Sequence, residues 1–295
     1  MFEIFGIPSQ ALFGQLLLGL INGSFYALLS LGLAVIFGML NIINFAHGAQ
    51  YMMGAFVAYF LLSYAGLNYW VALIVAPLTI GAFGVLIERS LLKWIYRLDH
   101  LYGLLLTFGL ALIIEGVFRN YFGSSGLPYR VPELLQGGKN LGFMFLPNYR
   151  AWVVVFSLVV CLATWFVIER TKLGSYLRAA TENPALVRAF GINVPRMITL
   201  TYGFGVALAA LAGVMAAPIY NVSPQMGAHL IIVVFAVVVI GGMGSIMGAI
   251  VTGFGLGLIE GLTKVFFPEA SNTVIFIIMA IVLLIRPAGL FGRSA

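Results

Sequence analysis

Charge is what this sequence has least of. Of its 295 residues only 8% are charged, against about a quarter in a typical soluble domain. Acids are scarcer than bases, nine against fifteen. With 62% hydrophobic residues and a mean hydropathy of +1.09, no soluble fold could hide the apolar surface. The expected class is therefore an all-α integral membrane protein. The one cysteine, Cys161, excludes a disulfide within the chain and reads as a small packing residue. No GxxxxGK[ST] phosphate loop occurs, so the chain does not itself bind and hydrolyse ATP in that manner. Metal-ligand clusters are missing as well, and no cofactor is expected to be bound by this chain. Lys and Arg are absent near the N-terminus, and the first apolar run continues past Leu40, too long for a cleavable signal segment.

What is present is a series of membrane-length apolar runs. About 20 apolar residues cross a bilayer as a helix. By that ruler spans fall near 11–39, 45–64, 69–87, 101–120, 150–168, 197–220, 230–247, 249–267 and 272–285. The chain reads as one domain, 1–295, a polytopic bundle of eight or nine helices. The count depends on whether the region around Asn41–Gly48 is a full crossing or a re-entrant piece. Basic loops set the orientation. Arg89, Lys93 and Arg97, the stretch 170–196, and Arg286 with Arg293 mark the inner side, placing the N-terminus outside and the C-terminus in the cytoplasm. The outer loop at about 121–150 is rich in Gly and Pro and suits the arrival of an external partner, although it carries Arg130, Lys139 and Arg150.

Three constellations carry chemistry. Asn22, Ser24 and Tyr26, then Asn41, Asn44 and His47, place polar groups in spans, where they either line a route or hold helices together. The spacing of three puts Asn41, Asn44 and His47 on one helix face. Gly241, Gly242, Gly244 and Gly248, followed by Gly253, Gly257 and Gly261, give a turn and then a smooth face every four residues for close helix packing. The intramembrane acids Glu115 and Glu260 each have a cation four residues on, Arg119 and Lys264. Such built-in pairs argue against a proton-coupled secondary transporter. The Gly123-Ser124-Ser125-Gly126 string lies beyond a helix end with no histidine placed to serve it, which argues against an intramembrane serine protease. Ile87-Glu88-Arg89 and Ile168-Glu169-Arg170 echo each other, as two copies of a repeat would or as two helix ends entering basic loops would.

The largest polar interruption, 170–196, holds five of the fifteen basic residues against one acid, Glu182. Within it a short helix is written in local code. Asn183 suits the N-cap, Pro184 the first turn, and Gly191 a left-handed closing position. Two turns are too few to be stable alone, so this helix must dock.

Taken together, the strings NGSFYALLSLGLAVIFGMLNIINFAHG, LGSYLRAATENPALVRAFGIN and VVVIGGMGSIMGAIVTGFGLGLIEG, with the tail RPAGLFG, resemble the branched-chain amino acid ABC importer permeases of bacteria and archaea, the LivH type. That resemblance implies a permease of the plasma (inner) membrane that moves leucine, isoleucine or valine by alternating access. It implies a second homologous permease, two cytoplasmic ATPases that use ATP and Mg, and a periplasmic or lipid-tethered binding protein, with no nucleic acid involved. Permeases for urea, short amides or other amino acids share these motifs. The segment 170–196 would be the coupling loop, with Ala180, Glu182, Asn183, Pro184, Leu186, Arg188, Phe190 and Gly191 at the ATPase contact, though it lacks a clean EAA–G consensus.

Overall fold

The computed structural model describes residues 3–4, 7–40, 42–96 and 98–292. After a two-residue hairpin, β1 (Glu3–Ile4) with β2 (Ile7–Pro8), the chain is almost entirely helical. α1 (Ser9–Leu40), α2 (Ala46–Ser63) and α3 (Tyr69–Ile87) come first. A π-helical stretch, Glu88–Leu92, and the single turn α4 (Lys93–Ile95) prolong α3. α5 (His100–Phe122) follows, then a loop carrying the short antiparallel pair β3 (Gly138–Asn140) and β4 (Phe145–Pro147), then α6 (Asn148–Arg170). The small strands are an addition to the expected all-α class. α7 (Lys172–Glu182) and α8 (Pro184–Ala189) lead into α9 (Val194–Tyr220), α10 (Met226–Gly241), α11 (Ile246–Phe266) and α12 (Val274–Ile285). Among the described residues six helices are long and apolar enough to cross a membrane: α1, α3 with its extension, α5, α6, α9 and α11. α10 and α12 are shorter apolar helices.

α1, α9 and α2 form the buried centre, while α5 and α6 lie outside with much of their apolar surface exposed. The helices meet where small residues let backbones touch. A Cβ on Gly257 would lie 2.4 Å from the Gly23 Cα, one on Gly253 2.5 Å from the Ala27 Cα, and one on Gly261 2.4 Å from the Gln15 carbonyl. Gly253, Gly257 and Gly261 thus do the packing work expected of them, with Gly19 and Gly23 as partners on α1. Gly241 and Gly248 approach each other in the same way, and Gly242 (φ +99°) and Gly244 (φ +83°) make the turn between α10 and α11. That turn ends α10 six residues earlier than the apolar run suggests. The tail closes over it: Leu290 and Phe291 donate their amides to the Ile240 and Gly241 carbonyls at 2.8 and 3.1 Å.

The helix pairing is reciprocal. α1 packs on α11 as α9 packs on α3, where Gly81 and Gly203 face each other; α2 meets α5 as α10 meets α12. The two short helices α2 and α10 touch through Gly48 and Gly227, where a Cβ on Gly48 would lie 2.7 Å from the Gly227 carbonyl. This is the pattern of two copies of one unit, α1–α5 and α9–α12. It is not the repeat that the Ile-Glu-Arg echo suggested. Glu88 is buried, whereas Glu169 is exposed and pairs with Arg178 at 3.3 Å.

Residues 42–45 are not helical, yet they run inside the bundle. Ile42 lies against Gly103 of α5, Phe45 against Phe108, and Phe56 of α2 against Phe118 and Phe122, so α2 begins partway along α5. Away from water such backbone needs partners. Thr107 supplies them: it accepts from the Phe45 amide at 3.2 Å and donates to the Ile43 carbonyl at 3.1 Å. Asn44 donates to Gln50 at 3.1 Å, and Gln50 to the Tyr202 hydroxyl at 3.3 Å.

Two substitutions test this architecture by thermal unfolding in detergent. Gly257→Leu is expected to destabilise by at least about 1–3 kcal/mol through overpacking. Gly255→Leu, on the same helix with nothing within 4 Å, is the neutral control. Thr107→Val should cost about 1–3 kcal/mol by stranding buried backbone groups, and Thr107→Ser far less.

Candidate functional site

Two regions stand out: a polar chamber at the break between α9 and α10, and the capped segment α7–α8 at the opposite end of α9. The break exists because α9 stops at Tyr220, where Asn221 takes φ +59° and ψ 155°, a strained positive-φ conformation that cannot continue the helix. Val222 then pairs backbone to backbone with Leu127 of the long loop, 2.8 Å in each direction. Beside this break lies a cavity of about 330 Å³, lined by Asn22, Phe25, Tyr26, Tyr51, Tyr220, Ser223, Met226 and Leu230. Tyr220 is half exposed, and its hydroxyl donates to the Asn22 side-chain oxygen at 2.9 Å. Tyr26 turns its hydroxyl to Glu260 at 2.7 Å, and Lys264 pairs with the other Glu260 oxygen. The carboxylate is thereby neutralised behind the chamber wall. The second expected pair, Glu115 with Arg119, also forms.

Tyr51 is the informative member. It is fully buried, lines the chamber, and its hydroxyl has no partner among the described residues. Buried hydroxyls nearly always have one. Hydroxyl and amide groups line the chamber together with the apolar Phe25, Met226 and Leu230, the mixed lining usual for small-molecule sites.

The sequence-expected polar residues divide between two places. Asn22 and Tyr26 come together in the chamber. Ser24 is buried and donates to the Ile21 carbonyl of its own helix at 2.6 Å. His47 lies elsewhere, fully enclosed, 3.1 Å from the Leu29 carbonyl. Asn44 stands in the non-helical 42–45 segment, so it does not share a helix face with His47; α2 starts only at Ala46. Asn41 lies outside the described residues, as do Arg97 and Arg293. Tyr51, Tyr220 and Ser223 carry no sequence signal, since single polar-tipped residues in apolar runs look like ordinary packing.

At the other end of α9, local code is realised as written. Asn183 accepts from the Leu186 amide at 3.0 Å, Pro184 occupies the first turn, and Gly191 takes φ +81°. The helix closes at Ala189, one residue before the expected Phe190. Val187 packs with Ala180 and Val194 in a small core of its own. Leu186 (53% exposed) and Phe190 (76% exposed) point away, as do Glu182 and Arg188. Ala180 is buried and belongs to the support of the helix, not to its outer face. The amphipathic α7 before it was not expected. Its signal is an apolar residue every three or four positions: Leu173, Leu177, Ala180.

Comparison with known proteins places these features. The family model for the permease component of branched-chain amino acid transport systems matches residues 15–283. LivH of Salmonella typhimurium, named a high-affinity branched-chain amino acid transport system permease protein, is 31% identical over 95% of both chains. BraD of Pseudomonas aeruginosa, named likewise, is 31% identical over 95% of both. LivM of Escherichia coli, a permease protein of the same system as its LivH, is 28% identical over 91% of this chain and 68% of its own. A match that runs from the second turn of α1 into α12 takes in the chamber, the capped segment and the helices joining them, and the chain belongs to the family of branched-chain amino acid transport permeases.

Proposed function

We propose that this chain is the membrane-spanning permease subunit of an ABC importer that carries leucine, isoleucine and valine across the plasma (inner) membrane. The observation that carries the reading is the family match along residues 15–283. The absence of a phosphate loop from the sequence calls for separate ATPase subunits, and the likeness to both LivH and LivM supports a second, homologous permease as partner. A periplasmic or tethered binding protein delivers the substrate in this reading. The chain crosses the bilayer nine times, counting α2, α10 and α12 with the six long helices. The basic residues Arg89, Lys93, Arg188 and Arg196 gather around the Leu40 end of α1, which supports a cytoplasmic assignment for that end and an external N-terminus.

In the proposed mechanism α8 is the coupling helix. Its uncovered Leu186 and Phe190 seat in a groove of an ATPase, and ATP-driven closure moves α8 together with α9, to which the small core of Val187 and Val194 ties it. The chamber forms part of the substrate route. Its neutral groups suit a zwitterion, and its apolar groups suit a branched side chain.

Two experiments test the two halves of this reading. Leu186→Asp with Phe190→Asp is expected to abolish co-purification of the ATPase subunits and leucine uptake; uptake at the wild-type rate would rule out the docking role. Tyr51→Phe removes a hydroxyl that has no partner among the described residues, so thermal stability should hold or rise. Leucine uptake by the reconstituted transporter should fall about tenfold, the worth of one lost hydrogen bond. Unchanged uptake with unchanged stability would remove the chamber from the route.

A further inference from the structure

A second cavity, of about 690 Å³, lies between the end of α3 and the α8–α9 segment. Four cations line it: Arg89 and Lys93 from the π-helical stretch and α4, Arg188 from α8, and Arg196 from α9. Among the described residues none of the four has a carboxylate within ion-pair distance. The acid that also lines the cavity, Glu88, is buried and already engaged: one oxygen accepts from Tyr96 at 2.8 Å and the other from Thr199 at 2.6 Å. Burial, and then this hydrogen bond to Glu88, raise the Tyr96 hydroxyl above the ordinary phenol range, so it stays a donor. The cavity therefore carries four basic side chains against the one carboxylate of Glu88, which pairs with none of them. Leu40, Val194, Pro195 and Ile198 add apolar surface to its lining.

Cations and aliphatic surface lining one cleft ask for an amphiphile with an anionic head. The location agrees. Trp94, 70% exposed beside Lys93, stands where a helix leaves a membrane and where aromatic side chains settle at the interface. Basic pockets between helix ends on the cytoplasmic side are suited to acidic lipid head groups. Of the residues expected at the ATPase contact, the exposed apolar pair Leu186 and Phe190 does not line the cavity, whereas Ala180, Pro184 and Arg188 do. We propose that this cleft binds an anionic phospholipid, its phosphate held by Arg89, Lys93, Arg188 and Arg196 and an acyl chain laid against Leu40 and Ile198. The bound lipid then bridges α3 to the coupling segment, so that the lipid composition of the inner leaflet acts on the joint through which the ATPases drive α9. The site's position in that joint rests on the function proposed above; lipid retention does not.

The test uses the assembled transporter, purified in mild detergent from membranes containing phosphatidylglycerol and phosphatidylethanolamine, with bound lipid counted by native mass spectrometry. The wild type should retain one phosphatidylglycerol per copy of this chain in preference to phosphatidylethanolamine, and excess inorganic phosphate should not displace it. Arg89→Gln with Lys93→Gln, both on exposed positions outside the α8 contact, should weaken retention about thirtyfold, two basic contacts' worth near an anionic surface. Arg89→Lys with Lys93→Arg should restore it. In nanodiscs, phosphatidylglycerol should raise leucine-dependent ATP hydrolysis of the wild type but not of the Gln variant. Three results would overturn the assignment: no preference for the anionic lipid in the wild type, equal retention by the Gln variant, or loss of ATPase subunits from that variant. The last would make the cations a protein-docking surface instead.

Discussion

Within a bilayer, apolar side chains gain nothing by leaving the lipid for one another, so helices associate where their backbones come into contact. That constraint is met in this chain along two seams. Gly19, Gly23 and Ala27 of α1 lock into Gly253, Gly257 and Gly261 of α11, and Gly81 and Gly84 of α3 into Gly203 and Val206 of α9. Each seam joins one half of the repeat to the other. With both closed, α1 and α9 are held side by side at the centre, and Gly32 and Gly205 are pressed together between them. The outer helices α5 and α6 can then stay apolar and exposed to lipid without adding anything to the core.

A centre fixed in this way can tolerate interruptions. Non-helical backbone at membrane depth survives only where protein groups satisfy it. The break before α2 is served by Thr107 and by Asn44, Gln50 and Tyr202. The break before α10 is served by the strand-like exchange of Val222 with Leu127. The chamber sits at the second break, where a turned chain opens room that two continuous helices would have closed. The interruption is thus what admits polar groups such as Ser223, and the seams are what make the interruption affordable in stability. A cavity lies beside each break: about 330 Å³ at the one before α10, with the Tyr51 hydroxyl unpartnered among the described residues, and about 210 Å³ at the one before α2, along Phe45, Gly48 and Ala49.

Much of the fold was legible in the sequence because lipid imposes a length rule and local code marks helix ends. The apolar runs located α1, α3, α5, α6, α9 and α11, and Asn183, Pro184 and Gly191 drew α8 to within a residue. The glycine ladder was legible as packing, though not its partners on α1. The reading failed where structure depends on distant residues. A helical period over 41–47 could not register that Thr107, sixty residues on, would stabilise an extended segment there. Tyr26 meets Glu260 across 234 residues of sequence, so no spacing rule reports the pair. The false echo at Glu88 and Glu169 is the converse case, in which like strings enter unlike surroundings.

In the proposed cycle these pieces make α9 the mechanical axis of the molecule. It starts at Val194, in the small core that holds α8, and runs unbroken for 27 residues to Tyr220 at the mouth of the chamber. At 1.5 Å per residue it is about 40 Å long, enough to reach across the hydrocarbon core. Its flanks are glycine and alanine against α1, α2 and α3, with Ile36 and Val85 seated in the notches at Gly205 and Gly203 and its own Val206 in the notch at Gly84, so it is gripped along its length. In the proposed cycle a displacement of α8 therefore has little opportunity to dissipate along the way. It arrives at Tyr220, whose hydroxyl holds Asn22 on α1. Rotation of α9 by even part of a turn would break that hydrogen bond and reshape the wall facing Tyr51. This hydrogen bond in the chamber wall is thus also the point where the stroke would be felt.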